Sequence, residues 1–223
     1  VEHLYQESGI FASYKERMLE ILEMDFPLSK AYHNQLLQCV CPLHVAASFG
    51  QLTLFNDILQ RVENKFPFDG LGRSTLYYAI KNDHLNIYES IVAINGNIVQ
   101  HSTTIPTPTD LDIAINNNSL KVCRFIVENN PEQINDKSGY ALHIAANKGH
   151  TEIYKVIMEK VADKNPVLNG FTPLHIAARS GNLEMCRLIL ENVNVKSPVD
   201  ANGQTPREVA EEFNQLEIVK LFG

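Results

Sequence analysis

No tryptophan occurs in these 223 residues, and cysteine is scarce, with four. So few cysteines exclude a disulfide-stapled scaffold of the kind small secreted domains use when their cores are thin. Positive charge is also short: 19 Lys and Arg against 26 Asp and Glu leave a formal net charge of −7. A protein that neutralises phosphates needs a basic stripe, and none is visible, so neither nucleic acid nor an anionic membrane is expected as a partner. No apolar run approaches the roughly 20 residues of a membrane-spanning helix, so no direct membrane insertion is expected of this segment. The N-terminal VEHLYQESG lacks the charged-then-apolar pattern of a secretory signal, and a cytoplasmic location is expected. The chain has no initiator Met and stops abruptly at Phe222-Gly223. Both ends read as those of a piece cut from a longer chain.

Reactive constellations are missing too. The sequence holds no G-x-S-x-G, no G-x-x-x-x-G-K-[ST] and no G-x-G-x-x-G, the patterns that place a nucleophile or cradle a phosphate. Cys123 and Cys186 sit among apolar residues and read as small buried hydrophobes. Cys39-Val40-Cys41, with His44 three residues on, resembles half a metal site. No second ligand pair lies at useful spacing, so no metal is expected. The carboxylate pairs Asp110/Asp112 and Glu211/Glu212 read as helix-end charge rather than as an acid and a base. The chain is therefore expected to be no enzyme and to carry no cofactor.

What is present is repetition. The stretch Asn169 to Leu190, NGFTPLHIAARSGNLEMCRLIL, opens with the turn signal Asn169-Gly170 and has Pro173 where a helix tolerates a missing N–H. A short helix is predicted through Ala177 and Ala178, ending at Gly181, and a second from Leu183 to Leu190. Such a pair cannot bury its apolar face alone. Counterparts of Leu174 stand at Leu43, Leu76, Leu111, Leu142 and, with a polar side chain, Arg207. In the same register an alanine recurs at positions 46, 79, 114, 145, 177 and 210. Four residues after each comes Gly50, Asp83, Asn118, Gly149, Gly181 or Asn214. These are the residue types that enter left-handed backbone most readily.

With its T-P-L-H-x-A-A core at Thr172 to Ala178, the turn residues Asp69/Gly72, Asp136/Gly139 and Asp200/Gly203, and a period near 33, the chain resembles the ankyrin repeat family over about residues 36–222. The resemblance implies an all-α solenoid of stacked antiparallel helix pairs with projecting β-turn hairpins. Repeats are expected near 36–66, 69–94, 107–130, 136–160, 167–192 and 200–223. Residues 1–35 match poorly; Phe11 to Met24 reads as an amphipathic helix, an N-terminal cap or a degenerate repeat. Pro106 and Pro108 exclude a helix from 95–109, read as an outward loop. His44, His143 and His175 share one slot. The resemblance implies a structural task for them, each imidazole bonding the motif Thr hydroxyl and a backbone group of the adjoining hairpin.

The resemblance also implies where a partner would bind: the turn tips and the exposed side of each first helix. Those slots hold Leu71, Arg73 and Lys81 in the second repeat and Lys137, Tyr140, Asn147 and Lys148 in the fourth. The fifth supplies Leu168, Asn169, Phe171, Arg179 and Ser180. Phe171 and Arg179, an aromatic and an Arg on an expected exposed face, have the composition of interface anchors. The leading reading is a non-catalytic, monomeric module that binds a protein or peptide partner on its concave face. The alternative is the regulatory or substrate-recruiting part of a larger channel, ubiquitin ligase or other enzyme. A fold hosts many functions, and the partner's identity is not written in these slots.

Overall fold

The computed structural model describes residues 42–62, 64–95, 109–130, 134 and 138–223. The expected N-terminal helix, the Cys39/Cys41 pair, the loop at 96–108, the Asp136 turn and Lys137 lie outside the described residues. Among the described residues the chain is all-α, with twelve helices. They are α1 Pro42–Ser48, α2 Leu52–Arg61, α3 Thr75–Lys81, α4 Leu85–Asn95, α5 Asp110–Asn116 and α6 Leu120–Asn129. Then come α7 Ser138–Lys148, α8 Thr151–Met158, α9 Pro173–Arg179, α10 Leu183–Asn192, α11 Pro206–Glu212 and α12 Leu216–Leu221. Strand structure among them is limited to the isolated bridges Phe68–Ser74 and Leu168–Phe171 in two hairpins.

The helices group into two compact units that divide between Ile113 and Ala114, inside α5. In the first, α1 packs on α2 and α3, and α4 packs on α3 and α2. In the second, α9 lies between α7 and α11, while α8 packs on α6, α7 and α10 and α12 on α11 and α10.

Among the described residues one device ends each of the six first helices. The residues in the left-handed slot all have positive φ, from 56° at Asn214 to 77° at Gly181. The N–H of the following residue then donates to the carbonyl of the slot alanine. The bonds run from Gln51 to Ala46, His84 to Ala79, Ser119 to Ala114, His150 to Ala145, Asn182 to Ala177 and Gln215 to Ala210, at 2.8 to 3.1 Å. This is the long bond of a Schellman cap, and it reverses the chain into the second helix. The six alanines are all buried. Starts are equally local. Thr205 and Glu208 form a capping box around Pro206, and Ser74 Oγ accepts from Tyr77 N–H at 3.2 Å.

Helix α7 departs from the expected pattern. It begins at Ser138 and runs 11 residues, where its counterparts α9 and α11 have 7. The Thr and Pro that fix a start three residues later in the sister helices are absent, with Tyr140 and Ala141 in their place. Nothing prevents another turn from forming.

The second helices share a buried slot filled by Phe55, Tyr88, Cys123, Tyr154 and Cys186. Burial pushes the Cys186 thiol up to about 12, so it stays an inert apolar filler. The two tyrosines differ. Tyr88 donates its hydroxyl to Asp110 Oδ2 at 2.7 Å. The Tyr154 hydroxyl is buried without a hydrogen-bond partner among the described residues. An unpaired buried polar group costs about 1–3 kcal/mol. Tyr154→Phe is therefore expected to raise the urea midpoint, whereas Tyr88→Phe lowers it. Equal losses from both would refute the difference.

Candidate interaction surface

The hairpins and first helices carry the side chains the sequence singles out, and the structure sorts them. In the hairpin before α3, the buried Asp69 acts as the turn's organiser. Its Oδ1 accepts from Leu71 and Arg73 N–H at 2.8 and 2.9 Å, and its Oδ2 from Arg73 Nε at 2.7 Å and the Tyr78 hydroxyl at 2.6 Å. Burial alone would raise the carboxyl's pKa. The Tyr78 hydroxyl and the Arg73 and Leu71 donors outweigh burial and hold it below the usual range. The Arg73 guanidinium also lies 5.1 and 5.7 Å from the ring centroids of Tyr78 and Tyr77. Arg73 is thus engaged internally, in a cluster with Tyr77 and Tyr78 that the slot pattern does not single out. Leu71 is left at the tip, 73% exposed, and Lys81 is exposed at the end of α3.

In the second unit the hairpin before α9 uses a different turn. Asn169 and Gly170 have φ of 52° and 86°, and Leu168 and Phe171 exchange backbone bonds at 2.9 and 3.0 Å. That is the two-residue hairpin an Asn-Gly pair favours. Asn169 is exposed and Leu168 half-buried. Phe171 is half-buried, not exposed, with its ring edge-on to the His175 imidazole at 6.2 Å. It contributes to the fold as well as to the surface.

The slot histidines have hydrogen-bonded structural positions. His175 Nδ1 accepts from the Thr172 N–H and hydroxyl at 3.2 and 2.8 Å, and its Nε2 donates to the Gln204 carbonyl at 3.1 Å. His44 Nε2 donates to the Pro67 carbonyl at 3.0 Å and His143 Nε2 to that of Phe171 at 2.8 Å. Each ties a first helix to the next hairpin. The second ring nitrogen of His143 faces the Gly139 carbonyl, since no Thr stands at that start. Among the described residues no group of three or more His, Cys, Asp or Glu is placed to hold a metal ion.

Along α7, α9 and α11 the remaining candidates come together in part. Tyr140 is 44% exposed on α7. At the helix ends, Ser180 donates its hydroxyl to Asn147 Oδ1 at 2.7 Å, and their sequence neighbours Arg179 and Lys148 are both exposed. Arg179 places its guanidinium carbon 5.1 Å from the Phe213 ring centroid. Phe213, the C-cap of α11, is absent from the slot pattern. On the same helix Glu211 pairs with Arg207 at 3.1 Å, and Glu212 accepts from Gln204 at 3.0 Å. Leu71, Arg73 and Lys81 belong to the other unit.

Helix pairs closed by a shared cap and stitched by hairpins define a helical repeat protein, a class whose exposed slots are free to vary while its core slots are fixed. The ankyrin repeat model matches three times, over residues 43–138, 111–198 and 142–222, and the chain belongs to the ankyrin repeat family. No curated protein matches the chain. Ankyrin repeats are generally non-catalytic modules of protein–protein interaction. No helix among the described residues is long and apolar enough to cross a membrane.

Proposed function

We propose that this chain is a monomeric, cytoplasmic interaction module of six repeats behind an N-terminal cap or degenerate repeat at 1–35. It binds a protein partner along the concave, first-helix side of α7, α9 and α11. The observation that carries this reading is the exposed group at the helix ends: Lys148, Asn147, Ser180 and Arg179, joined by one hydrogen bond and backed by the exposed Phe213. Tyr140 and the hairpin residues Leu168, Asn169 and Phe171 extend it, and Lys137 belongs to it by slot. Rigid helix ends give up less entropy on binding than loops do. Along the chain the sign changes from Lys148 and Arg179 to Glu211 and Glu212, which would fix a partner's direction.

The test is titration calorimetry with the captured partner. Arg179→Ala is expected to weaken binding by about 1–3 kcal/mol, the range of a moderate hot spot. Its melting temperature should barely change, because the side chain is exposed. Phe171→Ala is a poorer probe, since losing its aromatic contact also costs about 0.5–1.5 kcal/mol of stability. Loss of binding from Leu71→Ala or Lys81→Ala, with Arg179→Ala unaffected, would move the interface to the other unit.

A further inference from the structure

Among the described residues, Arg61, Arg73, Arg187 and Arg207 each lie within 2.7 to 3.6 Å of a carboxylate. Arg124 and Arg179 have no such partner there, and of these two only Arg179 is held by a ring, that of Phe213. The carboxylates of α11 are committed elsewhere: Glu208 to the Thr205 N–H and hydroxyl, Glu211 to Arg207 and Glu212 to Gln204. The Arg179 guanidinium therefore presents its donors as a fixed fork, and Phe213, whose ring it lies over, is 43% exposed as a residue. A second exposed cation, Lys148, follows Asn147, which accepts from Ser180, the residue after Arg179. Leu216, three residues past Phe213, is 66% exposed. Oriented donors without acceptors next to uncovered apolar surface match a carboxylate flanked by an apolar group.

We infer that Arg179 on Phe213 is a receptor for an acidic side chain of a partner's peptide segment, with an apolar neighbour of that residue seated on Phe213 and Leu216. This rests on the surface reading above and names the partner's chemistry. A planar guanidinium binds a carboxylate through two parallel bonds, which an ammonium cannot reproduce. A polyanion fits poorly. Glu208, Glu211 and Glu212 stand on the adjoining helix and the chain carries a net charge of −7. One or two cations among carboxylates accept a single acidic group and repel a sheet of phosphates.

The experiment is selection of displayed random dodecapeptides on the full 223-residue chain. The expected winners carry Asp or Glu next to an aliphatic or aromatic residue. Arg179→Gln should then weaken a synthetic winner by at least about tenfold, and Arg179→Lys by less, since charge survives without the fork. Changing the peptide's acid to its amide should give the same loss, with no further loss when combined with Arg179→Gln. Phe213→Ala should also weaken binding, by freeing the guanidinium. Unfolding curves of each variant report that it is folded. Neutral or basic winners that depend on Tyr140 or Lys148 but not Arg179 overturn this inference and leave the surface reading intact. Winners lost only in Leu71→Ala or Lys81→Ala overturn both. Failure to select any peptide overturns the inference. So does binding to phosphatidylserine vesicles that Arg179→Gln abolishes, which would assign the site to a membrane.

Discussion

Gly170→Ala should lower stability by about 3 kcal/mol, combining a left-handed residue's penalty of roughly 1–2 with overpacking of roughly 1–3. Gly170 is the second residue of the Asn-Gly turn, at φ 86°. A methyl group there would stand 2.4 Å from Ala201 Cβ and 3.2 Å from the Ala201 backbone nitrogen. Ala201 belongs to the next hairpin, so relief requires moving backbone rather than swinging a flexible side chain. Two controls isolate the causes. Gly203 has φ 79° with nothing within 4 Å of the added carbon, so Gly203→Ala should lose only the backbone part, about 1–2 kcal/mol. Gly70 has equally open space and no positive φ, so Gly70→Ala should be close to neutral. Urea unfolding of the three variants measures the series. A Gly170→Ala loss no larger than that of Gly203→Ala would contradict the close packing of the hairpins.

The second large effect is on pH. Burial drives the pKa of His44 from 6.5 down to about 4, although the Pro67 carbonyl and Asp69 pull the other way. Burial lowers His175 as well. The native state thus holds these rings neutral, with Nε2 donating to a hairpin carbonyl and, in His175, Nδ1 accepting from Thr172. As pH falls below 6.5 the unfolded chain takes up the proton first, and the native ring resists until about 4. Stability is therefore full above pH 6.5 and declines toward pH 4. Each tenfold difference in proton affinity between the two states is worth about 1.4 kcal/mol, so the loss from His44 alone is on the order of 3 kcal/mol. The check is ΔG of unfolding measured from pH 7 to 4.5. A declining curve whose slope flattens in His44→Gln is expected. A flat wild-type curve would mean these histidines are not held neutral by burial.

Much of the fold could be read from residue spacing, because its causes are local and recur. The alanine carbonyl, the left-handed residue after it and the returning N–H are neighbours in sequence, so Ala177 and Gly181 reveal a cap without any tertiary knowledge. The pairing of His175 with Thr172 is equally local. What spacing could not show depends on distance. The slot pattern puts Arg73 on an exposed face, and its bond to Asp69 together with the Tyr77 and Tyr78 rings draws it inward. Phe171 looks exposed until the His175 ring is in place. Phe213 occupies an ordinary helix end, and it gains meaning only because Arg179, 34 residues earlier, lies over it. The early start of α7 followed from the absence of a Thr-Pro stop, a signal present in the sequence at Tyr140 and Ala141.

A protein partner is expected to dock on the first-helix side of α7, α9 and α11, and a photo-crosslinking amino acid placed at one position at a time tests this directly. Ser180 lies at the end of α9, in the middle of that surface, while Arg187 is exposed on α10 and Lys81 on α3 in the other unit. Illumination in cell extract should join a discrete partner to the Ser180 variant and not to the Arg187 or Lys81 variants, and adding Arg179→Gln should remove the product. A partner captured from Arg187 or Lys81 but not from Ser180 would contradict this placement.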